Sequence, residues 1–169
     1  LAYFMKILTP AELEKLIYKM AGRLLRMRSL EKFRLFWRYL VSVDGSRILT
    51  FTEPHCKHCL TQKKDGKIVC WYHAVEEAKL VCNNGMALSL CTEFIENPTQ
   101  DVETQDCELN AFYRLEKKLK KEFPQLSICL LLDGLYACQQ VFDICKKNHW
   151  EYSITFKEGS MPATFGEYT

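Results

Sequence analysis

Residues 126–133, "LSICLLLD", run almost without a polar break and lie between two helical patterns. A strand that is apolar on both faces has to be covered on both faces, which is the habit of parallel strands in α/β sheets. Upstream, "TQDCELNAFYRLEKKLKKEF" (104–123) repeats its apolar residues at helical spacing, with Thr104 as the expected cap and Pro124 as the stop. Downstream, "ACQQVFDICKKNHW" (137–150) reads as a helix and "YSITFK" (152–157) as a strand. This α-β-α-β order demands crossover connections and a sheet with helices on its faces.

The first half adds antiparallel elements. "YLVSVD" (39–44) reads as a buried strand ending at Asp44. Residues 67–96 form an expected hairpin turning at Asn83-Asn84-Gly85, and Asp65-Gly66 is a second turn dipeptide. Before them, Thr9-Pro10 opens a helix whose Leu13, Ile17, Met20, Ala21, Leu24 and Leu25 share one face. Ser29 is the expected cap of a second helix, "LEKFRLFWRYL". The predicted architecture is α/β, a mixed sheet flanked by helices, with a basic helical segment at 1–38 and the main domain at 39–169.

Charge is uneven. Net charge is +2, yet residues 1–50 hold ten Lys or Arg against four acids, and eight of those ten bases lie between Lys15 and Arg38. Lys15, Lys19, Arg23, Arg26 and Arg28 are therefore candidate phosphate contacts, or else an ordinary solvated face. No apolar run nears membrane-spanning length. Nine cysteines, an odd number, in a chain able to bury a real core point to a reducing, cytoplasmic setting rather than to disulfides. Cys91, Cys129, Cys138 and Cys145 read as small core residues.

Two constellations carry chemistry. "VSVDG" (41–45) and "LLLDG" (130–134) both bring an apolar strand to Asp-Gly. If the strands are neighbours, Asp44 and Asp133 meet at one rim and can share Mg²⁺ or Mn²⁺, since hard cations prefer carboxylate oxygens. Tyr136 and Lys157 follow strands at that rim and are candidate phosphate contacts, with Gln105, Asp106 and Asn110 as support for a metal's water shell. The other constellation is Cys56-x₂-Cys59-x₁₀-Cys70-x₂-His73, a candidate zinc ribbon at 55–73 with His55 and His58 as spare nitrogens. Its weak half is the second pair: on a strand Cys70 and His73 point to opposite faces.

The stretches "VSVDGSRI", "YHAVEEAKLV" and the long run from Thr104 to Pro162 resemble the catalytic domain of DDE transposases of bacterial insertion sequences, which is ribonuclease-H-like. The resemblance spans about residues 38–163. It implies a metal-dependent DNA cleavage and strand-transfer enzyme that acts as an oligomer on transposon ends. Asp44 and Asp133 stand at the positions of the first two catalytic acids. The third, a glutamate on a helix beyond the fifth strand, has no expected counterpart up to Thr169, so the chain reads as incomplete at that point; Glu103 and Glu108 lie on or before a different helix. The alternatives are a catalytically dead remnant that binds DNA or a partner, and a zinc-ribbon interaction module.

Overall fold

A computed structural model describes residues 8–99 and 102–155. Its element order is α1 (Pro10–Arg26), β1 (Tyr39–Phe51), β2 (Leu60–Lys64), β3 (Lys67–Val81), β4 (Ala87–Ile95), α2 (Glu108–Glu122), β5 (Ile128–Leu132), α3 (Gln139–Asn148) and β6 (Glu151–Ile154). The strands make one six-stranded mixed sheet flanked by helices. β1 lies between β3 and β5, antiparallel to the first and parallel to the second, and β6 extends the parallel side. On the far side of β3, β2 pairs with Lys67–Tyr72 and β4 with Ala74–Val81, so two strands share one long edge.

β1 explains much of the topology. It is parallel to β5 only over Tyr39–Ser42 and then continues beside β3 as far as Phe51. Asp44 therefore lies inside a thirteen-residue strand and not at its end as expected. Backbone pairing with β3 carries the chain through Asp44-Gly45, opposite Glu77 and Glu76, where turn propensity alone would have stopped it. Asp65-Gly66 does form the β2–β3 turn, with φ of 52° and 77°, the positive values a two-residue hairpin loop needs.

Thr9 and Glu12 form the capping box of α1, each side chain accepting from the other's backbone amide. The expected second helix is absent. A single 3₁₀ turn at Glu31–Phe33 is followed by a bridge between Leu35 and Arg38, with Phe36 and Trp37 at φ of 46° and 67°. Those left-handed values cannot continue a right-handed helix, and the turn begins at Leu30 with no side-chain cap from Ser29. At α2 the N-cap is Cys107, not Thr104.

The core is built from Val41, Val43, Ala78, Leu80, Leu130 and Leu132 of the sheet against Phe112, Leu115 and Leu119 of α2, and also takes in Tyr136, Val141, Cys145 and Trp150. Among the described residues, no helix is long and apolar enough to cross a membrane.

Candidate functional site

The parallel register of β1 and β5 pairs Ser42 with Leu131. Two residues further along each strand stand Asp44 and Asp133, so both acids sit beyond the last paired rung, at the carboxyl end of the parallel pair. This is where α/β sheets gather ligands. Asp44 is exposed and Asp133 half-buried. Asp133 also caps the 3₁₀ turn that follows, its Oδ1 accepting from the Leu135 amide at 2.8 Å.

A third acid joins them from an unexpected element. Glu108, the first residue of α2, has its pKa raised by burial and then by the charges of Asp44 and Asp133. Gly45 makes room for it. A Cβ built at Gly45 would meet the Glu108 side chain at 2.4–2.6 Å, closer than any real carbon can approach. The glycine after Asp44 is thus explained by a close approach of a neighbouring carboxylate rather than by a turn.

Beneath these three lies Glu76 of β3, opposite Gly45 in the antiparallel ladder and with no exposed surface. Its Oε1 accepts from the Tyr136 hydroxyl at 2.5 Å, while its Oε2 is buried with no hydrogen-bond partner. Burial raises the Glu76 pKa to about 8 against the opposing pull of the Tyr136 bond, and Glu108, Asp44 and Asp133 add to the rise. Burial and the same bond also push the Tyr136 hydroxyl up. Four acids from β1, β3, α2 and the end of β5 therefore share one field. A cavity of about 210 Å³ opens beside Glu108, bounded by Leu135, Cys107, Tyr72 and Ala74.

Several expected participants belong elsewhere. Tyr136 is 1% exposed and cannot meet a phosphate at the rim; its hydroxyl is committed to Glu76. Gln105 binds Thr61 through both ends of its amide, and Asp106 is held by Arg114 at 2.6 Å. Lys157 lies outside the described residues. Lys15, Lys19, Arg23, Arg26 and Arg28 are all exposed on and just after α1. The signal for Glu108 was present in "CELN", a glutamate at a helix start, but only the packing of α2 on β3 and β4, with Glu108 over Gly45, reveals which rim that start faces.

The cysteine constellation resolves into three ligands. Cys56 Sγ lies 3.9 Å from Cys59 Sγ and 3.4 Å from His73 Nε2, and Cys59 Sγ is 3.6 Å from the same nitrogen. The amides of Cys56 and His58 donate to Cys59 Sγ and Cys56 Sγ, both at 3.4 Å. This cluster could hold a metal ion. Cys70 is not part of it. Its sulfur contacts Gln62 and Arg47, because strand alternation turns it away from His73. His58 turns its Nδ1 onto the Asn97 carbonyl at 2.7 Å.

No protein-family model, no curated protein and no solved structure matches this chain.

Proposed function

We propose that the chain is the metal-binding catalytic domain of a DDE-type transposase, in which Asp44, Asp133 and Glu108 hold Mg²⁺ or Mn²⁺ for phosphoryl transfer on DNA. The observation that carries this reading is the convergence of those three carboxylates above the buried Glu76. Close like charges are costly unless a cation or a proton offsets them. The donor chemistry suits a hard divalent ion, all oxygen and carboxylate, and to share one ion these carboxylates would have to draw closer than they stand in this structure. The resemblance from residue 38 to 163 supplies the substrate class, and the exposed bases of α1 supply a surface for phosphates.

A bound divalent ion would lower the pKa of an attacking water or 3′-hydroxyl and neutralise charge on the leaving oxygen. The chain's own part is to fix that geometry. β1 and β5 hold Asp44 and Asp133 on adjacent strands, α2 brings Glu108 over Gly45, and Tyr136 orients Glu76 from below. In the hydrolytic step water adds to phosphorus, the bond to the 3′-oxygen breaks, and the free 3′-hydroxyl takes up a proton. In strand transfer that hydroxyl gives up its proton and bonds to a target phosphorus, the target's own bond from phosphorus to its 3′-oxygen breaks, and the released 3′-oxygen takes up a proton. Among the described residues, Glu108 is the acid that joins Asp44 and Asp133.

At the second centre the identity we infer is zinc. Tetrahedral zinc with sulfur at about 2.3 Å and nitrogen at about 2.05 Å sets ligand edges of about 3.8 Å between sulfurs and about 3.6 Å from sulfur to nitrogen. The three edges here, 3.9, 3.4 and 3.6 Å, lie within about 0.2 Å of those values.

Incubation of the purified chain with supercoiled plasmid in Mn²⁺ tests the catalytic reading. Nicking by the wild type that is lost in Asp44→Asn, Asp133→Asn and Glu108→Gln supports it. Equal nicking by the wild type and all three variants overturns it.

A further inference from the structure

We propose that His55 is the fourth ligand of the zinc centre, closing Cys56, Cys59 and His73 into a tetrahedral structural site that staples the β1–β2 connection to β3. This rests on the zinc reading above and adds to it the closure of the site. Three vertices of the tetrahedron are set, and an open fourth position would leave a water-bearing zinc of the kind found in catalytic centres. The His55 ring stands 6.2 Å from the His73 ring, centre to centre, with the planes at 88°. Two imidazoles on one tetrahedral zinc have ring centres about 5 Å apart, so closure draws the rings together by about 1 Å and turns a His55 nitrogen into the cluster, outside which it stands in this structure.

The neighbourhood steers His55 there. Its ring is stacked on Phe51 at 4.5 Å with 8° between planes, and Phe51 also meets the His73 ring edge to face at 5.9 Å. The aromatic ring thus holds both imidazoles on one side of the loop. Pro54 restrains the backbone entering His55. Of the competing ligands, Cys70 is engaged on Gln62, while His58 commits only its Nδ1, to the Asn97 carbonyl, and its Nε2 is the rival donor that His58→Ala tests.

The consequence is mechanical. Residues 52–59 join β1 to β2 without regular structure, and His73 lies three residues before Glu76, about 10 Å along β3. A closed zinc site ties that loop to the strand that carries the floor of the acid cluster.

Cobalt substitution of the full chain reads the coordination directly. The wild type is expected to show thiolate-to-cobalt charge transfer and the intense d–d bands of a four-coordinate ion. In His55→Ala the charge transfer should persist while the d–d bands weaken and shift, and zinc affinity should fall at least about 100-fold, since outer-sphere partners alone account for about 10–100-fold. His55→Cys should restore four-coordinate bands with stronger charge transfer. His58→Ala and Cys70→Ala should match the wild type. If His55→Ala and the wild type give the same spectrum and affinity while Cys56→Ala and Cys59→Ala lose both, His55 is not a ligand although the centre is real. If the folded wild type takes up neither cobalt nor zinc, the zinc reading itself fails.

Discussion

Gly45 shows how one missing side chain sets a site. Glu108 occupies the space a Cβ would take, at 2.4–2.6 Å. Overpacking of this kind costs about 1–3 kcal/mol. Gly45→Ala should therefore lower stability by about that amount in urea denaturation, and Gly45→Ala combined with Glu108→Ala should recover most of the loss; simple additivity would deny the contact. Glu76 makes a different prediction. Its pKa rises on folding from an ordinary 4.5 to about 8, so the native chain binds this proton more tightly than the unfolded chain does. The stability it contributes is complete below pH 4.5 and is lost as pH climbs through about 8. In buffers free of Mg²⁺ and Mn²⁺, wild-type stability should fall between pH 5 and 9, and Glu76→Gln should flatten that slope. An unchanged slope in the variant would mean that Glu76 is charged throughout.

Among the elements, α2 carries the most consequence because its first residue belongs to the acid cluster and its flank is pinned to β4. Arg114 bonds Asp106 at 2.6 Å, Glu93 at 3.0 Å and the Phe94 carbonyl at 2.8 Å. Asp106 and Glu93 are 11% and 15% exposed, so Arg114→Ala removes the cation shared by two nearly buried carboxylates and leaves Glu93 with Lys118 and Asp106 with the Glu96 amide. The loss should be about 1–3 kcal/mol, below that of a fully buried pair because Arg114 is itself 41% exposed. It should also weaken metal binding at Glu108; calorimetric titration of Mn²⁺ into the variant checks this. The strands and helices of the second half were legible in the sequence because "LSICLLLD" and its flanking helical periods are long and unambiguous. The helix expected after Ser29 failed because Phe36 and Trp37 adopt left-handed backbone, which no apolar period announces. β2 went unread because a five-residue strand with only Leu60 buried has no pattern of its own. Of the acid cluster, Asp44 and Asp133 were legible as strand-associated Asp-Gly pairs. Glu108 and Glu76 were not, since a glutamate at a helix start and one within a strand acquire meaning only once α2 and β3 are packed around β1. Cys56, Cys59 and His73 followed from spacing, while Cys70 was lost to the twofold alternation of β3.

Across the whole molecule, the bases of α1 and the acid cluster occupy different ends of α2. Glu14 of α1 bonds Lys118 at 3.2 Å, and Tyr18 packs edge to face on Phe123. Lys118 is ten residues from Glu108, about 15 Å along the helix axis. A duplex that touches both must run along α2 and cover more than about four base pairs. Lys15→Glu with Lys19→Glu should weaken DNA binding and reduce the dependence of log affinity on log salt by about two, while leaving Mn²⁺ binding intact; an unchanged salt slope would place the DNA elsewhere. The central claim is narrower than any of this: Asp44, Asp133 and Glu108 grip one cation. Calorimetric titration of Mn²⁺ into the wild type, Asp44→Asn and Glu108→Gln tests it most directly. Binding by the wild type that weakens at least about tenfold in both variants is the expected result, and three superimposable titrations would contradict it.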